Sequence, residues 1–229
     1  MKLSFYLPAK PSVILQVFGA NPAYYSKFLD PNGNPIKGHM GIDFQAKHGT
    51  PIYAVCDGLA MYNCDTHGGD GIILNTGGGF DYEGGTNMFN LIFWHLCPWN
   101  DPDYPIEIPT DGNWHNVKAG QILGYADNTG APYESTGDHL HFGLCPLNDK
   151  WLPIDPGNGY GGCIDPAPYF NGITIQDYSL SKTVSSAVQA TEEVTQAVVQ
   201  SDETPAQKMS FLAQLADLWD TILSIFKRS

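Results

Sequence analysis

Hydrophobic positions along residues 1 to about 170 come in short runs cut by turn-forming residues. Val13-Ile14-Leu15-Gln16-Val17-Phe18 predicts a strand stopped by Gly19-Ala20-Asn21-Pro22. Pro51-Ile52-Tyr53-Ala54-Val55 and Leu59-Ala60-Met61-Tyr62 flank Asp57-Gly58, the pattern of a β-hairpin. Ile72 to Asn75, Asn90 to Leu96, Gln121 to Tyr125 and His139 to Leu144 are further apolar runs of strand length. Many short strands with almost no helical periodicity predict a mostly β chain, an antiparallel sandwich or a partly open barrel. Between His95 and Val117 lies a long polar stretch carrying four prolines, Trp99 and Trp114. A loop of that length is either a binding wall or a surface excursion packed on itself.

After Phe170 the pattern changes. Residues 179–205 are rich in Ser, Thr, Ala, Gln and Val and contain no aromatic residue. Beyond Pro205, Phe211, Leu215, Leu218, Ile222 and Ile225 alternate four- and three-residue steps, which predicts one amphipathic helix. The expected organisation is a β domain over 1–170, a weakly helical linker over 171–205 and a C-terminal helix over 206–229. That helix is expected to fold back on its own domain, to dock on a protein partner or self-associate, or to lie on a membrane surface.

Composition narrows the function. The 229 residues carry a formal net charge of −13, with 15% charged residues, 25 Gly and 17 Pro. So acidic a surface, with no basic stripe, argues against nucleic-acid binding. No apolar stretch is long enough to span a membrane. Pro8 and Pro11 break the N-terminal apolar run before a secretory signal could form, so the expectation is delivery in a virion or through a holin, otherwise extracellular or periplasmic action. The five cysteines, Cys56, Cys64, Cys97, Cys145 and Cys163, show no tight spacing and read as buried free thiols; Cys56 and Cys64 could also face each other across the hairpin.

The chemistry concentrates in His39-x-x-x-Asp43 and His139-x-His141. Residues two or four apart in an extended segment share a face. His39 and Asp43 can therefore reach one ion, and His139 and His141 can look into one cleft, while Ile42, Phe44, Leu140 and Phe142 fill the core behind. Two histidines and a carboxylate form a zinc set that leaves one position open. His48, His67 and His115 read as structural.

These motifs, in this order, resemble the M23 (LytM/lysostaphin-like) peptidoglycan endopeptidases. The resemblance spans roughly residues 16 to 145. It runs through Gln16-Val17-Phe18-Gly19, Gly38-His39-Met40-Gly41-Ile42-Asp43-Phe44, Gly49 to Val55, Asp57-Gly58, Trp94-His95-Leu96, Gly120 to Gly124, Asn128-Thr129-Gly130 and Ser135 to Phe142. It implies a small antiparallel β-sheet core with a groove walled by long loops. It also implies Zn²⁺ held by His39, Asp43 and His141, catalytic roles for His95 and His139, and peptidoglycan peptides as substrate. Which of the two catalytic histidines is the general base stays open. The chain departs from the family pattern at Asp127, where glycine is common, in the loosely matching Gly68 to Ile72, and in the long 98–116 segment. The alternative function is a catalytically silent wall-binding or virion structural module of the same fold.

Overall fold

The computed structural model of the protein describes residues 3–10, 13–30, 32–83, 85–130 and 135–170. The expected linker and the expected C-terminal helix lie outside the described residues.

The described residues form a mostly antiparallel β structure with almost no helix. An eight-stranded sheet runs β1 (Ile14–Gln16), β2 (Gly41–Gln45), β10 (His139–Leu147), β7 (Gly85–Leu96), β5 (Gly69–Asn75), β4 (Gly58–Asp65), β8 (His115–Val117), with β6 (Phe80–Tyr82) pairing to β7. A second sheet pairs β3 (Pro51–Tyr53) with β9 (Ile122–Tyr125). One helical turn, α1 (Pro22–Tyr25), follows β1, and a 3₁₀ turn spans Ala167–Tyr169. No helix among the described residues is long and apolar enough to cross a membrane.

Alternation along the central strands decides which residues become core. Ile42 and Phe44 on β2, and Leu140, Phe142 and Leu144 on β10, are fully buried. Phe142 meets Phe93 edge-on at 5.2 Å and Phe5 at 6.0 Å, and Phe170 lies 5.1 Å away. Such offset and edge-to-face pairs add to the burial energy of the rings. The intervening residues must then emerge on the opposite face. The β10 register sets His141 opposite Asp43 on one side and opposite Trp94 on the other. Three adjacent strands thus bring a histidine, a carboxylate and an indole into one cross-strand row.

Two expectations fail. Asp57-Gly58 does not close a hairpin: β3 pairs with β9, whereas β4 pairs with β5 and β8. Asp57 instead accepts the Ala119 N–H at 2.9 Å and pairs with Lys118 at 2.7 Å. Gly58 is needed for close approach, since a Cβ there would overlap the Asn75 carbonyl oxygen. A turn dipeptide between two strands can mark a corner between sheets as well as a hairpin. Cysteine usage also differs. Cys145 and Cys163 form a disulfide that ties β10 to the segment before Phe170, while Cys56, Cys64 and Cys97 are free. Eighteen residues of separation gave no pairing signal in the sequence.

The long 98–116 segment packs inward. Ile106 and Ile108 are buried, and the Glu107 N–H bonds the Leu123 carbonyl at 2.8 Å. Its end forms β8, and Trp114 lies 5.5 Å from Trp151.

Candidate metal centre

His39 precedes β2, Asp43 lies within it, and His141 sits opposite on β10. All three are buried. His39 Nε2 lies 2.8 Å from His141 Nδ1, and Asp43 Oδ1 lies 3.1 Å from each. Zinc bound tetrahedrally through nitrogen and oxygen would space its ligand atoms about 3.4 Å apart. The triangle fits after opening by a few tenths of an ångström, so the residues present suit the metal that the motifs imply.

The tautomers support the fit. His39 Nδ1 donates to the Val17 carbonyl at 3.2 Å, which leaves Nε2 as a lone pair aimed at the centre. Burial of Asp43 opposes its ionisation, but His39 and His141 beside it hold the carboxyl well below its usual range. Burial, opposed by the bond to Asp43, holds the His141 pKa below the ordinary histidine value. An ionised carboxylate beside an imidazole whose burial disfavours protonation is the ionisation state a divalent cation requires.

Space for the His141 ring is built into the backbone. A Cβ on Gly41 would lie 2.8 Å from its Cε1 and Nε2. Trp94 stacks on the same ring at 5.2 Å with planes 23° apart. Tyr25 flanks His39 at 5.5 Å and accepts a hydrogen bond from Gln16 Nε2 at 3.1 Å.

His95 and His139 join the three ligand candidates around one small cavity, with Tyr25, Met40 and Trp94 completing its wall. Its volume of about 20 Å³ suits an ion or a water rather than a peptide. His95 Nδ1 donates to the Thr129 carbonyl at 2.7 Å, and His139 Nδ1 to the Gly137 carbonyl at 2.7 Å. Both Nε2 atoms are therefore free for the cavity, and the rings stand 4.6 Å apart. His139 Nε2 is 3.7 Å from Asp43 Oδ1. Burial, then the nearby His141 and His139, push the His95 pKa down to about 3, which keeps this imidazole neutral. His95 adopts a left-handed backbone, φ 63°, a strained conformation concentrated at functional positions.

All five residues singled out in the sequence thus meet. The carbonyls of Val17, Thr129 and Gly137 that fix the rings have no side-chain signature and could not be read. Trp94 lines the cavity, whereas Trp99 and Trp114 are not among its lining residues. His67 packs near Phe28 and His115 pairs with Asp111, as structural histidines do. His48 and Cys97 are brought together with Asp127 in a second cluster.

No family model matches the chain. It is 26% identical over 133 residues to the DD-carboxypeptidase/endopeptidase Mpg of Neisseria meningitidis serogroup B, and equally to that of Neisseria gonorrhoeae. The match takes in 55% of this chain but 26% of those relatives, so the chain matches only about a quarter of their length. Among solved structures, the catalytic domain of lysostaphin from Staphylococcus simulans aligns over 69% of this chain and 91% of its own, with 24% identity and a TM-score of 0.44. A point mutant of the catalytic domain of the prophage-encoded M23 protein EnpA from Enterococcus faecalis aligns over 70% of this chain and 92% of its own, with 24% identity and a TM-score of 0.44. A zinc-containing peptidase from Vibrio cholerae aligns over 72% and 39%, with 22% identity and a TM-score of 0.43. In its motifs the chain resembles the M23 peptidoglycan peptidases.

Proposed function

We propose that this chain is a zinc-dependent endopeptidase that hydrolyses peptide cross-links or stem peptides of bacterial peptidoglycan. One observation carries the reading: two histidine nitrogens and a carboxylate oxygen converge within 3.1 Å beside two further histidines that keep Nε2 free for the same cavity. The curated relatives with which the chain shares 26% identity are named DD-carboxypeptidase/endopeptidase, which supports a peptidase reading.

His39, Asp43 and His141 would hold the metal. Bound there, zinc supplies Lewis acidity and makes water acidic enough to serve as a nucleophile near neutral pH. The protein's part is positional and protonic. His95 and His139 have Nδ1 committed to backbone carbonyls, which leaves Nε2 as the position at which either ring exchanges a proton with the cavity. One accepts the proton lost by the attacking water and later returns it to the departing amine. The other, on taking up a proton from solvent, becomes a donor at Nε2 for the oxyanion of the tetrahedral intermediate. Trp94 and Met40 exclude bulk water from one side of the cavity, which strengthens these interactions.

The test uses sacculi with glycine bridges and sacculi with direct cross-links, incubated with zinc-loaded protein, chelated protein and His141→Ala. Mass spectrometry reads new amino termini. Fragments that require both zinc and His141 are expected. Stoichiometric zinc without fragments from either wall would overturn the reading in favour of a silent module of the same fold.

A further inference from the structure

A second cluster lies behind the two cleft histidines. His48 Nδ1 is 3.1 Å from Asp127 Oδ1 and 3.7 Å from Cys97 Sγ, and all three atoms lie within 4.8 Å of one another. We propose that His48, Cys97 and Asp127 form a second cation site, taking one thiophilic divalent ion such as zinc. Tetrahedral binding through nitrogen, oxygen and sulfur needs edges of about 3.4 Å for N to O and about 3.6 Å for N to S. The two edges from His48 Nδ1 match within 0.3 Å, and Cys97 Sγ lies within 4.8 Å of Asp127 Oδ1.

Backbone hydrogen bonds hold the three donors in place. The Cys97 N–H bonds the Tyr125 carbonyl at 2.8 Å. The Gly49 N–H bonds the Ala126 carbonyl at 2.9 Å, and the Ala126 N–H bonds the Thr50 carbonyl at 2.9 Å. The His48 turn and the Asp127 segment are thereby fixed side by side. Gly49 has φ 77°, and a Cβ there would stand 2.7 Å from the Tyr104 ring that packs against His48. Two more carboxylates face the site. Asp138 accepts the His48 N–H at 3.1 Å, and Asp101, like Asp138, acts electrostatically on the Cys97 thiol. A cation in this field offsets their charge and favours the thiolate. His48 is half exposed, which gives an ion a route in.

The same three residue types could instead make a nucleophilic cysteine with a histidine base and an orienting aspartate. That arrangement places thiol and carboxylate on opposite ring nitrogens. Here both address Nδ1, which cannot donate to Asp127 and accept from Cys97 at once. The Cys97 S–H bonds the Ala126 carbonyl at 3.3 Å, and burial with nearby Asp127 pushes the thiol up to about 11, the reverse of activation. Convergence on one point is what a metal uses.

The position gives the site a consequence. The Asp127 N–H bonds the His95 carbonyl at 2.8 Å, and its own carbonyl accepts the His139 N–H at 3.2 Å. An ion gripping the Asp127 side chain braces the peptide between both cleft histidines. Asp127 is then a positioning residue.

Cobalt(II) is the probe. The deep centre offers nitrogen and oxygen alone, so thiolate-to-cobalt charge-transfer absorption reports only the second site. The experiment uses the full chain with Cys56→Ser and Cys64→Ser, which removes the other free thiols. Two bound cobalt ions per chain and a charge-transfer band are expected. Cys97→Ser should abolish the band and one equivalent, and Asp127→Asn should weaken that equivalent about tenfold or more. Asp127→Asn keeps both backbone bonds, and a retained circular dichroism spectrum separates ion loss from unfolding. His141→Ala should lose the deep-site absorption and keep the charge-transfer band, so this site stands or falls apart from the peptidase reading. One equivalent without charge transfer at excess cobalt, or a band that survives Cys97→Ser, overturns the proposal.

Discussion

The deep centre and the His48 cluster are both built from histidine and aspartate, yet they are assembled differently. His39, Asp43 and His141 stand on or next to paired strands, buried, with register choosing their neighbours. His48, Cys97 and Asp127 come from loop ends, and His48 is half exposed. In the deep centre, ladder spacing supplies the geometry and a carbonyl fixes the His39 tautomer. In the second cluster, turn hydrogen bonds supply the geometry. Donors on strands leave a fixed spacing in the sequence, whereas donors gathered by loops do not.

The largest effect expected from breaking this contrast is at Asp43. Asp43→Asn keeps the shape and removes the charge between two buried imidazoles, so zinc affinity should fall more than about 100-fold, beyond what loss of an outer partner costs. Competitive titration against a chromophoric chelator measures this, and peptidoglycan hydrolysis should fall with it. Unchanged affinity would mean that the triangle does not hold the metal.

Gly41→Ala comes next. Its methyl group would press on the His141 ring at 2.8 Å and overlap the Phe142 carbonyl oxygen. Overpacking of this kind costs about 1–3 kcal/mol. Denaturant unfolding should show that loss together with weakened zinc binding, and a tolerated methyl would show that the centre is looser than its packing implies.

Thr129 supports the His95 ring beside the deep centre. Its Oγ1 donates to the Leu96 carbonyl at 2.6 Å and accepts the Asp70 N–H at 3.1 Å, which holds the carbonyl that orients His95. Thr129→Val removes those bonds and should lower kcat about 10- to 100-fold while zinc content stays unchanged. Equal losses of kcat and zinc would make Thr129 a general structural residue instead.

A pH series sharpens the comparison further. The folded pKa of His95 is pushed down to about 3, below the ordinary value of 6.5. A depressed histidine binds fewer protons folded than unfolded, so its contribution is present above pH 6.5 and is lost as pH falls toward 3. His141 and Asp43 shift in the same direction, with the Asp43 contribution lost below pH 3.8. Melting temperatures of the chelated protein should fall between pH 7 and pH 4. The fall should be shallower in His95→Gln, which has no proton to gain. Parallel curves would refute a neutral buried His95.

The smallest effect is expected at His115. It pairs with Asp111 at 2.8 Å on the surface and belongs to neither metal-capable cluster. Exposed pairs of this kind contribute little. His115→Gln should leave zinc content and hydrolysis unchanged, and a change in either would show that a surface His–Asp pair can count as much as a buried centre.

Alternation made Ile42, Phe44, Leu140 and Phe142 recognisable as core, and the spacing of His39, Asp43, His139 and His141 placed them on one face. His95 entered only through resemblance. The strands at 72–75, 90–96, 122–125 and 139–144 were legible, because a half-buried or buried strand must repeat apolar residues. The short β6 and β8 were not, since three residues carry too little pattern. Asp57-Gly58 misled because a local dipeptide signals a turn and says nothing about which strands it joins.

By itself, then, the sequence determined which residues are apolar, which faces they share, and that two histidines and an aspartate could reach one ion. The tertiary structure decided the rest. It paired Cys145 with Cys163, sent β3 to β9, turned three backbone carbonyls onto histidine rings, and gathered His48, Cys97 and Asp127 from positions up to 79 residues apart. The physical reason is range. Side-chain alternation is a property of neighbouring residues, whereas hydrogen bonds to main-chain carbonyls and contacts between loop ends exist only after the sheet has closed around its core.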